Sequence, residues 1–164
     1  MPPRRVKTAM QSGKTHFTAM LQNEPTRHRR LAPLTRIALA TLALTLVTLL
    51  GVARTLSPNQ TGLGTHQQLG LPPCSMVVAF GIRCPACGMT TSWAYFTRGQ
   101  WLASLNTNPG GFLLAGLATI AITLLSRAVW RSQAISHRAM WRLTYALLGT
   151  LGVTGLDWLV RFLR

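Results

Sequence analysis

The chain has 164 residues, of which 48% are apolar and only 12% are charged, and its formal net charge at pH 7 is +15. A soluble domain usually carries about twice that charged fraction. The composition therefore argues against a soluble globular domain, and the length allows one small domain. Long uncharged runs separated by basic runs are instead typical of a protein of the lipid bilayer.

The positions of the 17 Lys and Arg argue against nucleic acid as a partner. Eight lie in the first 36 residues, three between the first and second apolar runs, four between the second and third, and two after the third. This alternation is the positive-inside pattern of membrane proteins. It predicts a multi-pass protein of the cell membrane with a cytosolic N-terminus, an extracytosolic segment 54–108, a cytosolic loop 127–142 and an extracytosolic C-terminus.

Two regions are predicted along the chain. Residues 1–33 form a basic tail without apolar periodicity, which we expect to be disordered and cytosolic. Residues 34–164 form the membrane domain. The predicted fold class is an all-α membrane protein with three transmembrane helices, in which a short helical, cysteine-bearing extracytosolic segment joins the first two.

The first two spans have distinct sequence signals. The first, about residues 37–53, is an uncharged run of 17 residues, near the minimum that crosses a hydrocarbon core of ~30 Å. We favour an uncleaved anchor over a signal peptide because the run exceeds the usual signal core of about 7–15 residues. The second span, about residues 109–130, follows Asn108 and Pro109, which suit a helix cap and a first helical turn.

The third span is predicted at about residues 141–159. It carries small residues at intervals of three, a pattern that lets helices approach closely in lipid: Gly149, Gly152 and Gly155. Asp157 is the only acidic residue in any span, and it precedes Arg161 by four positions. The two residues therefore share a helix face and are predicted to form a local, structural ion pair.

All three cysteines of the chain, Cys74, Cys84 and Cys87, lie in the segment 72–108. Pro85 suits the first position of a helix, which predicts Cys84 as its cap and a thiol pKa lowered by the helix dipole. Cys84 and Cys87 are thus a candidate redox pair. No other catalytic residue is predicted, since no His, Lys or acid lies between Cys84 and Arg98.

Several roles of the cysteines stay open. A disulfide from Cys74 to Cys84 or Cys87 would staple the segment, and the three thiols with His66 would supply four ligands to zinc. Alternatively, the cysteines serve only in the packing of the segment. The residues with a predicted structural role are Cys74, Pro85, Gly88, Asn108, Pro109, Asp157 and Arg161.

This segment resembles a known family. The resemblance is carried by Cys74, by Cys84-Pro85-Ala86-Cys87-Gly88-Met89-Thr90, by Arg98-Gly99 and by Asn108-Pro109 before a hydrophobic span. It covers about residues 72–125 and points to the bacterial membrane family known as domain of unknown function 2752. The resemblance implies residence in the bacterial inner membrane and importance of the cysteine segment, without an established activity. The family usually has Arg after the Thr, where this chain has Thr91.

Two functional hypotheses follow. The favoured one is a non-enzymatic membrane component, in contact with the bilayer and with another membrane protein, whose Cys-Pro-Ala-Cys-Gly segment is structural. Its support is the absence of an acid-base constellation. The alternative is an extracytosolic thiol-disulfide redox protein, or one that handles a metal or cofactor, using Cys84 and Cys87. The sequence predicts no resident cofactor and does not decide whether the protein is an enzyme.

Overall fold

The structure, a computed structural model, describes residues 31–59 and 61–163. Its α-helices are α1 (Pro33–Thr55), α2 (Ser75–Phe80), α3 (Met89–Phe96), α4 (Trp101–Thr107), α5 (Pro109–Arg131) and α6 (His137–Phe162). A short 3-10 helix, Thr65–Leu69, lies between α1 and α2. The predicted fold class is confirmed: the described chain is all helical, and the cysteine segment lies between the first and second long helices.

Three helices, α1, α5 and α6, are long and apolar enough to cross a membrane, with 23, 23 and 26 residues. At about 1.5 Å per residue they extend about 35–39 Å, more than a hydrocarbon core of about 30 Å. Each helix extends beyond its predicted span, because the hydrogen-bonded backbone continues through the flanking basic residues. Helical geometry, unlike membrane insertion, does not require apolar side chains at the ends.

The predicted opening of the second span is confirmed. Pro109 is the first residue of α5, and the side chain of Asn108 accepts a hydrogen bond from the backbone N–H of Gly111 at 2.7 Å. Ser136 caps α6 in the same way, accepting from Ala139 N–H at 3.3 Å. Both caps satisfy a backbone donor that the first helical turn leaves without a partner.

The helix α5 lies at the centre of the arrangement. It packs against both α1 and α6, whereas α1 and α6 make no contact with each other in the described chain. Close approach of α5 to α6 depends on Gly110, where an added Cβ would collide with Oγ1 of Thr154. The predicted packing ridge of α6 is wrong for the described residues, because nothing lies within 4 Å of a Cβ added at Gly149, Gly152 or Gly155. The α5 contact uses another face of α6.

The short helices α3 and α4 pack together and against the beginning of α5, and α3 also contacts α1. Fully buried hydroxyls join the two short helices: Ser104 Oγ donates to Ser92 O at 2.7 Å, and the two Oγ atoms lie 2.9 Å apart. Small side chains at this crossing let the backbones approach closely. The cysteine segment is thereby fixed at the N-terminal end of α5.

The predicted tail falls almost entirely on residues 1–30, which lie outside the described residues. Its disorder and its cytosolic placement therefore stay predictions. The helix α1 begins at Pro33, one residue before the predicted boundary of the membrane domain.

Candidate functional site

The residues from Cys84 to Gly88 form a turn that leads into α3. Cys87 N–H donates to Cys84 O at 3.0 Å, and Met89 N–H donates to Ala86 O at 3.1 Å. Gly88 has a φ of +86°, and a Cβ there would lie 2.9 Å from the carbonyl oxygen of Gly62. Both the left-handed backbone and the close contact require glycine at this position.

The predicted helix start at Pro85 is wrong. The helix α3 begins at Met89, with Gly88 as its N-cap. The positive φ of Gly88 separates the cysteine turn from the helical path, so Cys84 is not a helix cap. The predicted placement of Cys84 at a helix N-terminus is therefore wrong.

Asn108 connects the cysteine turn to α5. Its side chain is 2% exposed, and its Nδ2 donates to Cys87 O at 3.1 Å and to Pro85 O at 3.4 Å. Its Oδ1 at the same time caps α5. One buried amide therefore accepts a hydrogen bond from a backbone N–H at the beginning of a transmembrane helix and also holds the turn that carries two of the thiols.

The third long helix also reaches the turn. Trp158 Nε1 donates to Arg83 O at 2.7 Å. Arg161 donates to Thr107 O at 3.2 Å, and its Nε lies 2.9 Å from Oδ2 of Asp157, which confirms the predicted ion pair. The C-terminal part of α6 thus contacts the residue before Cys84 and the residue before Asn108.

The structure brings all three thiols together. The Sγ atoms of Cys74, Cys84 and Cys87 lie within 4.8 Å of one another, and the Sγ atoms of Cys84 and Cys87 are 3.2 Å apart. All three thiols are free and half-buried. Cys74 is the residue before α2, so the cluster unites two segments separated by that helix.

The thiols of the cluster have different acidities. A hydrogen bond from the backbone of Val77, with further bonds from the thiols of Cys84 and Cys87, lowers the pKa of Cys74 to about 7. Burial, with the neighbouring thiols of Cys84 and Cys74, raises the pKa of Cys87 to about 12. A thiolate forms far more readily at Cys74, which the sequence did not single out as the acidic thiol.

A cavity of about 420 Å³ opens beside the three sulfur atoms and is also lined by His66 and Thr90. The Nε2 of His66 lies 3.2 Å from the carbonyl oxygen of Pro72, and His66 does not belong to the close group of sulfurs. The three predicted thiol ligands therefore lie close together, and the fourth predicted ligand, His66, is not among them. A zinc ligand role for His66 stays a prediction.

A second cavity, of about 330 Å³, shares Cys84 and Cys87 with the first and is also lined by Asp157, Trp158 and Arg161. The sequence flagged Asp157 and Arg161 only as a local pair. It contained no signal that these charged side chains line a cavity with the cysteines, because the two regions are about 70 residues apart along the chain. An acid and a guanidinium therefore do belong to the surroundings of the thiols.

Thr91, the residue after the Thr of the cysteine motif, is fully buried. Its Oγ1 lies 2.7 Å from the Oγ1 of Thr65, which is also buried. This hydrogen bond joins the 3-10 helix to α3, beside the cavity with the sulfurs. A long cationic side chain at this position would have to displace the contact.

The resemblance found in the sequence is confirmed by comparison with known families. Residues 74–122 match the family described as "Protein of unknown function (DUF2752)". No curated protein and no solved structure matches the chain. The matched residues begin at Cys74 and include the thiol turn, α3, α4 and the first half of α5. The thiol cluster, α3, α4 and the first half of α5 thus lie in the part of this chain that is similar to the DUF2752 family.

Proposed function

We propose that this chain is a membrane protein that binds a thiophilic metal ion, of the Zn²⁺ or Cu⁺ class, through Cys74, Cys84 and Cys87. The observation that carries the proposal is the convergence of three free sulfur atoms within 4.8 Å of one another. A single disulfide needs only two thiols. The third thiol comes from a separate segment, so the fold brings together one more sulfur than a stapled turn requires.

The chemistry of the donor set fits this class of ion. Thiolates favour Cu⁺ and Zn²⁺ over hard cations such as Mg²⁺ and Ca²⁺. A Zn–S bond of about 2.3 Å places tetrahedral sulfur ligands about 3.8 Å apart. This spacing lies between the 3.2 Å that separates the Sγ atoms of Cys84 and Cys87 and the 4.8 Å that bounds the group. Three protein ligands next to an open cavity leave a coordination position free. Structural zinc sites are usually closed by four protein ligands, so the arrangement favours exchange of the ion over permanent structural binding.

The three cysteine ligands are held in place by different contacts. Cys84 and Cys87 lie on the turn that Asn108 holds, whereas α2, next to Cys74, packs against no other helix in the described residues. Two ligands are thus held in place, and the third depends on its own short segment. This asymmetry supports a site that accepts and releases an ion.

We also propose that the thiol site lies on the extracytosolic side. The support is the distribution of basic residues, which are many before α1 and between α5 and α6 but few between α1 and α5. Basic segments remain in the cytosol in most membrane proteins. The free thiols would then meet an oxidising compartment, where a bound ion protects them from forming disulfides.

The test is metal binding by the full chain, purified in detergent under reducing, oxygen-free conditions. We expect about one Zn²⁺ or Cu⁺ per chain by elemental mass spectrometry. Replacement of any one cysteine by serine should weaken affinity by more than about tenfold, since even residues that only support ligands commonly have effects of that size. Ser75→Ala, next to Cys74, is the matched control and should bind as the wild type does. Cysteine variants that bind as tightly as the control would contradict the proposal.

Thiol-disulfide exchange is the second candidate function, favoured by the 3.2 Å between the Sγ atoms of Cys84 and Cys87. Alkylation of protein taken directly from the membrane, followed by mass spectrometry, separates the possibilities. A Cys84–Cys87 disulfide that mild thiol reduces, without bound metal, would support exchange. A disulfide from Cys74 that resists mild reductant would support the structural, non-enzymatic role. Three free thiols without metal would contradict metal binding, thiol-disulfide exchange and a disulfide staple, and would leave packing as the role of the segment.

A further inference from the structure

A cavity of about 450 Å³ lies in the groove between α1 and α5, at the opposite end of α5 from the thiol site. It is lined by Arg36, Ala40, Ala43, Ser126, Val129 and Trp130. Ser126 and Trp130 lie 17 and 21 residues after Pro109, which places the cavity about 26–32 Å along the helix from its start. This groove is therefore independent of the cysteines.

The positive charge of Arg36 has no protein counter-ion in the described residues. The chain has only two acidic residues, Glu24 and Asp157, and the ion pair within residues 31–59 and 61–163 joins Asp157 to Arg161. Three more arginines lie at or just beyond the same end of α5, namely Arg127, Arg131 and Arg138. A guanidinium at the edge of the bilayer is costly to leave without an anion, because the surrounding dielectric constant is low.

The groove has the shape and chemistry of a lipid site. Small side chains on α1, Ala40 and Ala43, leave space between the helices beside Val129 of α5, and a hydrocarbon chain fits such an apolar surface. At the head of the groove Arg36 offers a planar set of donors that suits a phosphate group. Ser126, one turn before Trp130 and so deeper in the groove, adds a hydroxyl to its lining. Trp130, with an exposed fraction of 89%, is placed as interfacial indoles are.

We propose that this groove binds an anionic phospholipid, with the phosphate on Arg36 and an acyl chain along Ala40, Ala43 and Val129. The lipid supplies an anion to Arg36 and covers the apolar gap between α1 and α5 in a single ligand. Basic pockets between transmembrane helices bind anionic headgroups in this manner. The same guanidinium could also take free phosphate, so the experiment has to distinguish the two sources.

The test uses the full chain in detergent, titrated with phosphatidylglycerol or phosphatidylcholine and measured by native mass spectrometry. We expect tighter binding of phosphatidylglycerol to the wild type. Arg36→Gln should weaken this binding about fivefold, the effect of one basic residue at a membrane surface. Arg54→Gln, at the other end of α1, is the matched control and should bind as the wild type does. Equal losses in the two variants, or no loss in Arg36→Gln, would overturn the proposal.

A second pair of variants tests the acyl chain and keeps the charge. Ala40→Phe fills the groove and should reduce phosphatidylglycerol binding. Ala38→Phe changes an exposed alanine outside the cavity lining and should have no effect. Inorganic phosphate, added as a competitor, tests whether the groove binds a free anion. Displacement of the lipid by millimolar phosphate, together with unchanged binding in Ala40→Phe, would show that the groove takes the phosphate alone and would overturn the lipid assignment.

Discussion

Cys74 is the residue whose local chemistry departs most from expectation. Its thiol receives a backbone hydrogen bond from the first turn of α2 and further bonds from two neighbouring thiols, and these bonds lower its pKa to about 7. Cys87, which is more shielded from water, has its pKa raised to about 12. The thiolate is the reactive form of cysteine, so reactivity should follow this order.

The residue-scale prediction concerns alkylation of the reduced, metal-free protein. Because the pKa of Cys74 is lowered, its thiolate fraction rises as the pH increases through about 7, whereas Cys87 stays protonated until far more alkaline pH. With limiting iodoacetamide at pH 7.5, peptide mass spectrometry should therefore find Cys74 modified well ahead of Cys87. At pH 5.5 the labelling of Cys74 should fall by about tenfold or more. Modification of Cys87 ahead of Cys74 would contradict the assigned acidities.

At the scale of helices, α5 connects the membrane domain to the thiol turn through its cap. Asn108 and Ser136 both cap long helices, but only Asn108 also donates to the cysteine turn. A helix cap usually contributes about 1 kcal/mol, and each hydrogen bond from a buried amide adds a similar amount. The free energy of unfolding should therefore respond differently to the loss of these two caps.

Two substitutions at Asn108 separate its two roles. Asn108→Ala should lower the free energy of unfolding by about 2–3 kcal/mol, against about 1 kcal/mol or less for Ser136→Ala, measured by denaturant titration in detergent. Asn108→Ser keeps an oxygen that can cap α5 but lacks the amide that donates to the turn. It should retain more of the stability than Asn108→Ala and still bind metal more weakly than Ser136→Ala. Full metal affinity in Asn108→Ser would show that the amide does not position the thiols.

For the whole molecule, the distribution of basic residues predicts its orientation in the membrane. Three membrane crossings by the long helices would put the thiol segment on one side of the bilayer and the basic segment between α5 and α6 on the other. The excess of basic residues in that segment and before α1 predicts that both are cytosolic. The thiols then lie outside the cytosol.

Reporter fusions test this orientation. A reporter that is active only in the cytosol should be active when fused after residue 135 and silent when inserted near residue 65. The basic residues provide the physical reason, since charged segments resist transfer across the membrane. A reporter that is active only outside the cytosol provides the control and should give the opposite result. Cytosolic activity near residue 65 would reverse the topology and remove the argument that the thiols need protection from oxidation.

The features that could be predicted from the sequence depend on nearby residues. The three spans follow from uncharged runs, the cap at Asn108 from a residue and its next three neighbours, and the Asp157–Arg161 pair from a spacing of four. Each is decided within one or two helical turns, where composition and periodicity are informative. The predicted helix start at Pro85 failed because a positive φ at Gly88 redirects the chain. The carbonyl oxygen of Gly62, 26 residues earlier, leaves no room for a Cβ at that position, and no local pattern shows this contact.

The sequence by itself determined an all-helical membrane protein with three spans, and it identified the segment that contains every cysteine. Only the tertiary structure decided that Cys74 joins Cys84 and Cys87, and that Trp158 reaches Arg83 from 75 residues away. Such contacts arise where α5 and α6 pack and where Asn108 holds the turn, and no local pattern encodes which distant side chains meet. Local hydropathy determines the spans, whereas the thiol site depends on how the helices pack together.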